Sequence, residues 1–67
     1  MMKVNFNNNL KILRLAKKIS QKELAEKMNT TIKTISHWET GYTEPSLQQL
    51  VMLSNIFDIS IDDLILN

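Results

Sequence analysis

Apolar residues recur at intervals of three and four along most of this 67-residue chain, a spacing that predicts helices rather than strands. The first such stripe contains Leu10 and Leu13 and continues at Arg14, so it predicts a helix over residues 9–18. Residues 1–8 precede it and combine polar residues with scattered apolar ones. We therefore expect them to form an N-terminal arm that frays at its first positions.

A capping pattern marks the start of a second helix. Ser20 is followed three residues later by Glu23, and in such a pair each side chain can bond the backbone N–H of the other residue. We expect this helix to run to about Met28, with Leu24 and Ala25 facing inward.

Residues 29–41 are predicted to form a tight turn, a short helix and the glycine that ends it. Asn29 tolerates left-handed backbone and predicts a tight turn. Thr31 is predicted to cap a helix over residues 32–40, and Gly41 is predicted to end it. Two short helices separated by such a turn predict a helix-turn-helix.

The third helix has two unlike faces. One face carries Ile35, Trp38 and Glu39 and is suited to burial. The opposite face combines short polar side chains with one cation and one imidazole, which suits the recognition of base edges better than solubility alone. Its members are Ile32, Lys33, Ser36 and His37.

Two further helices follow a loop that contains Pro45. Ser46 and Gln49 form a second capping pattern, and Ser60 is predicted to cap a short last helix. The sequence therefore predicts an all-α domain, a compact bundle of five short helices over residues 9–66. The inward residues of the fourth helix are expected to be Leu47, Leu50, Leu53 and Phe57.

Composition excludes several kinds of site. The chain has no Cys and one His, which excludes a cysteine-based metal or redox centre and a site with several His ligands. It has no Gly-rich phosphate loop and no His paired with a carboxylate at catalytic spacing, so we expect neither enzyme activity nor a cofactor. No charged segment precedes an apolar stretch, and no apolar run of about 18 residues occurs. We therefore expect neither a signal peptide nor a membrane span, but a soluble cytoplasmic protein with no membrane partner.

Charge is distributed unevenly. All eight Lys and Arg residues lie within residues 1–33 beside two Glu, so this half carries +6. Residues 34–67 contain five acidic residues and no Lys or Arg, so they carry −5. Such asymmetry favours a polyanion partner on one side of the molecule, although a dipolar surface that binds no partner would have the same charges.

These patterns together resemble the Cro/repressor type of helix-turn-helix domain, the XRE-like family. The resemblance covers residues 9–66, nearly the whole chain. The matching segments are Leu13-Arg14, Ser20-Gln21, Leu24-Ala25, Ile35-Ser36-His37-Trp38-Glu39-Thr40-Gly41, Pro45-Ser46 and Phe57-Asp58-Ile59-Ser60. The single matching residues are Leu10, Thr31, Leu50, Leu53 and Leu64.

The resemblance implies a lambda-repressor-like DNA-binding domain with residues 32–40 in the major groove. It implies base contacts from Ile32, Lys33 and His37, with Ser36 nearby. Gln21 matches a residue that holds a phosphate and braces the start of this helix, and backbone amides around Thr40–Gly41 match groups that meet the next phosphates. The complete set of predicted DNA contacts is Gln21, Thr31, Ile32, Lys33, Thr34, Ser36, His37, Thr40 and Gly41.

Several of these residues also have simpler explanations. Taken alone, Gln21 is better explained as a solvated residue of a first helical turn. Lys33 can donate to a guanine or to a phosphate, but a solvated lysine on a helix surface also explains it. His37 can contact a base or act only as a polar spacer. Trp38 is expected in the core because of its spacing from Ile35.

The chain departs from the family pattern at three places. The turn position that usually holds Gly is Asn29, and the first base-contacting position, often an amide, is Ile32, which can contact only a thymine methyl or pack locally. The loop after the third helix is often basic in the family, whereas here it is Tyr42-Thr43-Glu44, which weakens the expected grip on the DNA backbone.

Arg14 and Glu39 match a family ion pair that ties the first helix to the third. Physical chemistry supports the pair independently, because each charge lies on an apolar face of its helix. A lone buried charge costs several kcal/mol, so each residue needs the other.

The last two helices contain more apolar residues than one inward face can hold, which suggests a homodimer through them. The alternative is that several of these residues complete the core of a monomer. The predicted interface residues are Val51, Met52, Ile56, Ile61, Ile65 and Leu66.

The sequence therefore predicts a sequence-specific regulator of transcription that binds double-stranded DNA, as a dimer on a near-palindromic operator. The alternative from another class is a protein-interaction module, such as the antitoxin of a toxin–antitoxin pair, whose apolar surface binds a further protein partner.

Overall fold

The computed structural model describes residues 5–66, which form an all-α bundle of five helices. The predicted fold class is confirmed. Residues 1–4, half of the predicted N-terminal arm, lie outside the described residues. The helices are α1 (Phe6–Ala16), α2 (Gln21–Met28), α3 (Ile32–Thr40), α4 (Leu47–Phe57) and α5 (Ile61–Ile65).

Helix α1 begins and ends earlier than the predicted range of residues 9–18. It extends back to Phe6 because that ring is buried and packs edge-to-face on Trp38, with ring centroids 6.5 Å apart. It stops at Ala16 because Lys18 adopts a left-handed backbone conformation with φ of 58°. A contact with a distant residue thus overrides the polar character of the first residues.

The helix ends of the predicted helix-turn-helix agree with the sequence. Ser20 accepts a hydrogen bond from the Glu23 amide, and the Glu23 carboxylate accepts one from the Ser20 amide, each at 3.0 Å. Asn29 is left-handed in the turn, Thr31 caps α3, and left-handed Gly41 ends it.

Helices α4 and α5 close the bundle. Ser46 and Gln49 form the second capping box, and the Ser60 hydroxyl caps α5. The prediction that Leu47 belongs to the core is wrong, because its side chain is 71% exposed. At 100° per residue, Leu47 lies about a quarter turn from the line of Leu53 and Phe57, which do face the core.

The core is made of residues from all five helices. Its fully buried members include Leu10, Leu24, Ile35, Leu53 and Leu64, one from each helix. None of the helices between residues 5 and 66 has the length and apolar character needed to cross a membrane.

Candidate nucleic-acid interface

Helix α3 is held from behind by the rest of the bundle. Its buried face carries Ile35, Trp38 and Glu39, and both α1 and α2 pack against it. The remaining side of the helix therefore lies at the protein surface with a fixed orientation.

The outward side of α3 brings four predicted site residues to one surface. Ile32 is 47% exposed and Lys33 is exposed, whereas Ser36 and His37 are half-buried. This surface offers a methyl group for a thymine, an ammonium donor, a hydroxyl and an imidazole, which are groups that can distinguish base edges in a major groove.

Thr31 and Thr34 serve the start of α3. The Thr31 hydroxyl accepts a hydrogen bond from the Thr34 amide at 3.2 Å and lies 3.0 Å from the Thr34 hydroxyl. Thr31 is exposed and Thr34 is half-buried. The structure thus gives both residues a capping role, and their contact with DNA stays a prediction.

Arg14 and Glu39 form the ion pair that the sequence suggests. Arg14 Nε lies 2.6 Å from Glu39 Oε2, Arg14 Nη2 lies 3.1 Å from Glu39 Oε1, and both residues are buried. Arg14 Nη1 also donates to the Ile19 carbonyl at 2.9 Å. The hydrogen bond to Glu39 raises the pKa of Arg14 above its ordinary value, so the guanidinium stays charged.

Gln21 braces α3 at a different place from the one expected. Its Nε2 donates to Glu39 Oε1 at 3.2 Å, near the end of α3 rather than at its start. The reason is that the buried carboxylate offers a charged acceptor within reach of the first residue of α2. A primary amide has two N–H groups, so Gln21 keeps one donor that a phosphate can use.

The end of α3 is a complete Schellman motif. The Gly41 amide donates to the Trp38 carbonyl at 3.3 Å, and the Tyr42 amide donates to the His37 carbonyl at 2.9 Å. The Thr40 hydroxyl also donates to the His37 carbonyl, at 3.2 Å. The Gly41 amide and the Thr40 hydroxyl thus both donate to carbonyls at the helix end, and the contact of this segment with a phosphate stays a prediction.

An aromatic contact that sequence reasoning missed accompanies this motif. The rings of His37 and Tyr42 lie with their centroids 4.7 Å apart at an interplanar angle of 59°. A side-chain contact between these two positions is common when a helix ends in this way. The available signal was the aromatic residue directly after Gly41, the glycine that ends the helix.

The predicted dimer residues divide into two groups. Val51 and Met52 are exposed, whereas Ile56 and Ile65 are half-buried and pack against the core. Ile56 and Ile65 therefore fit the alternative interpretation, in which such residues complete the core of a monomer. Ile61 and Leu66 are half-buried as well. The exposed apolar surface of α4 consists of Leu47, Val51 and Met52.

A family model described as helix-turn-helix matches residues 10–64 of the chain. Among curated proteins, the chain is 36% identical over 62 residues to the HTH-type transcriptional activator BcrR of Enterococcus faecalis, covering 92% of this chain and 30% of that protein. It is 38% identical over 60 residues to the uncharacterized HTH-type transcriptional regulator YqaE of Bacillus subtilis, covering 90% of this chain and 52% of that protein. The chain thus spans about a third of the first relative and about half of the second.

Among solved structures, the P22 c2 repressor in complex with a synthetic operator matches with a TM-score of 0.83 and 30% identity. The match covers 88% of this chain and 89% of that one. The likeness therefore extends over almost the whole of both chains.

Proposed function

This chain belongs to the helix-turn-helix family, in its Cro/repressor (XRE-like) type, and from that premise we propose that it binds double-stranded DNA at specific sequences and regulates transcription. The observation that carries the proposal is the outward side of α3. A helix pinned from behind by a buried ion pair offers Lys33 and His37 outward at a surface. A single helix of this kind fits the major groove of B-form DNA.

The uneven charge supports a DNA partner. Every Lys and Arg lies within residues 1–33, the part of the chain that forms α1, α2 and the start of α3. Lysines attract phosphates irrespective of sequence, whereas contacts from α3 supply discrimination between bases. The protein works without a cofactor in this proposal, as a cytoplasmic regulator and not as an enzyme.

We place a homodimer contact at the exposed apolar surface of α4, continued by α5. Val51 and Met52 are too exposed to stabilise a monomer core, and they adjoin Leu47 along the same helix. A two-fold dimer would hold two copies of α3 about 34 Å apart, which is the repeat of the major groove, on a near-palindromic operator.

The same surface favours a second candidate function, a protein-interaction module such as an antitoxin. An apolar patch that includes Leu47, at 71% exposure, can bind an unrelated protein as well as a second copy. The two functions are compatible, since the patch lies on α4 and the DNA contacts on α3.

Selection of bound sites from random duplexes tests the proposal. We expect recovery of an inverted repeat whose half-sites lie about one helical turn apart. A variant with Lys33→Gln and His37→Ala serves as the matched control and should recover no such sequence. If the wild-type chain enriches no sequence even in dilute buffer, the proposal is wrong. Binding to a protein partner that persists at high salt would then favour the interaction module.

A further inference from the structure

We propose that Tyr42 is a specificity-determining residue that positions the His37 imidazole for base recognition, although it lies outside α3. This inference rests on the proposed function, since it assigns a role within the same surface. Tyr42 is not among the contacts that the family resemblance implies, and only its contact with His37 identifies it.

The backbone brings Tyr42 back over His37. Gly41 has φ of 81° and ψ of 8°, the left-handed conformation in which the chain reverses at a helix end. The Tyr42 amide then bonds the His37 carbonyl at 2.9 Å, which ties the two residues together across the reversal. The Thr43 amide bonds the same carbonyl at 3.3 Å, so that oxygen fixes both residues that follow the glycine.

The tyrosine ring contacts the imidazole rather than the core. Tyr42 is 76% exposed, so the interior of the protein contributes little to its position. His37 is half-buried, and its ring meets the tyrosine ring at 4.7 Å in a tilted arrangement, which is a favourable geometry for aromatic pairs. The imidazole therefore has one side covered by Tyr42 and fewer accessible rotamers.

A pre-ordered side chain loses less conformational entropy on binding than a free one. If His37 contacts a base edge, Tyr42 strengthens that contact without touching DNA itself. The benefit falls on the cognate base pair, because a mismatched pair offers no partner for the ordered imidazole. Tyr42 thus contributes to the choice of sequence more than to general affinity.

The test uses the full chain and the duplex recovered by selection. His37→Ala identifies the base pair whose preference depends on the imidazole. Tyr42→Ala should lower the preference for that same pair by about two- to tenfold, the effect of freeing one interfacial side chain, while preferences elsewhere stay unchanged. Tyr42→Phe keeps the ring and should retain the wild-type preference. Thr43→Ala, at the next exposed position, is the matched control and should also retain it.

Coupling between the two residues gives a sharper result. In the double variant with His37→Ala and Tyr42→Ala, we expect no further loss of preference beyond that of His37→Ala alone. An additive loss overturns the inference, because Tyr42 would then act through a separate contact. A loss of affinity in Tyr42→Phe overturns it too, since that result assigns the effect to the phenol hydroxyl, for example on a phosphate.

An NMR measurement without DNA tests the contact between the two rings independently of the proposed function. The tyrosine ring current should shift the His37 ring protons, and the shift should persist in Tyr42→Phe and disappear in Tyr42→Leu. If the wild-type chain binds DNA with a His37-dependent base preference that Tyr42→Ala leaves intact, the inference alone fails. If the wild-type chain binds no duplex, the proposed function fails, and the role of Tyr42 in DNA recognition fails with it.

Discussion

Gln21 and Glu39 are joined by a hydrogen bond of 3.2 Å, and the acceptor is the same carboxylate that Arg14 binds through two nitrogens. Three helices therefore meet at one buried acidic group: α1 through Arg14, α2 through Gln21 and α3 through Glu39. This cluster fixes the angle at which α3 presents its outward side, so its integrity bears on both stability and DNA recognition.

Removing the carboxylate should destabilise the fold strongly. Glu39→Ala leaves the Arg14 guanidinium buried without its counter-ion, and we expect the free energy of unfolding to fall by roughly 3–5 kcal/mol, the range for breaking a buried pair. Urea melts followed by circular dichroism measure this loss. A loss below about 1 kcal/mol would show that solvent already compensates both charges.

A second variant separates the unpaired charge from the lost packing. Replacing both partners, with Arg14→Met and Glu39→Leu, removes the charges together, and we expect it to be less destabilising than Glu39→Ala despite the additional substitution. The opposite order in the same melts would indicate that the pair itself contributes more than its desolvation costs.

Glycine at residue 18 should stabilise the protein. Lys18 has φ of 58°, a conformation that is unfavourable for a side chain with a Cβ atom, and it follows the end of α1. We expect Lys18→Gly to raise the free energy of unfolding by about 0.5–1 kcal/mol after the entropic cost of glycine. Lys17→Gly is the matched control: Lys17 has helical angles, so glycine there should destabilise the protein.

The pH dependence of stability should include a contribution from Glu23. The Ser20 backbone amide donates to its carboxylate, and this hydrogen bond holds the pKa of Glu23 below its usual range. The charged form therefore stabilises the folded state above the unfolded pKa, and this contribution is lost as the pH falls through the folded pKa. We expect the wild type to lose stability relative to Glu23→Gln between about pH 5 and about pH 3.

Glu23→Gln is a suitable comparison because glutamine can form the same capping box without titrating. Gln49 does so opposite Ser46 in this protein, with its Oε1 2.7 Å from the Ser46 amide. Thermal melts at a series of pH values test the difference. Parallel stability curves for the two proteins across the acidic range would contradict the prediction.

Lys33→Gln should relax sequence preference as well as affinity. If its ammonium contacts a base edge, we expect a loss of about 1–3 kcal/mol on the selected duplex and little change on unrelated DNA. Lys11 is an exposed lysine on α1, and Lys11→Gln should weaken binding to both duplexes equally or not at all. Fluorescence anisotropy measures the affinity of each variant for both duplexes. If Lys33→Gln lowers the affinity for both duplexes equally, Lys33 contacts a phosphate rather than a base.

The apolar surface of α4 should govern self-association. Val51→Glu places a charge where we propose a dimer contact, and we expect the dissociation constant of the dimer to rise at least about tenfold. Leu15→Glu introduces the same charge at an exposed apolar residue of α1 and should leave association unchanged. Sedimentation equilibrium with and without DNA measures both, and a wild-type chain that stays monomeric throughout removes the dimer proposal.

Local signals were sufficient to predict the starts of α2, α3 and α4 and the end of α3, but not the ends of α1. The capping boxes at Ser20 and Ser46, the cap at Thr31 and the left-handed glycine at residue 41 all depend on residues within four positions of each other. Such short-range hydrogen bonds can be predicted from a sequence because helical geometry fixes the spacing between the partners.

Features that depend on distant residues were harder to predict. The early start of α1 follows from the Phe6 contact with Trp38, 32 positions along the chain, and the hydrogen bond of Gln21 depends on a carboxylate 18 positions away. Leu47 fits an apolar period but lies to one side of the buried line. Periodicity gives the spacing of a stripe, whereas the direction of the core depends on packing between helices.

The first and last helices are linked by the side chain of Asn9, which donates to the carbonyls of Leu64 and Leu66 at 3.1 and 3.0 Å. The first of these acceptors lies 55 residues further along the chain. The segment from Asn9 to Leu66 must therefore have left the ribosome before α1 can form these bonds. Translation that stops before α5 leaves the Asn9 side chain of the first helix without either of these two acceptors.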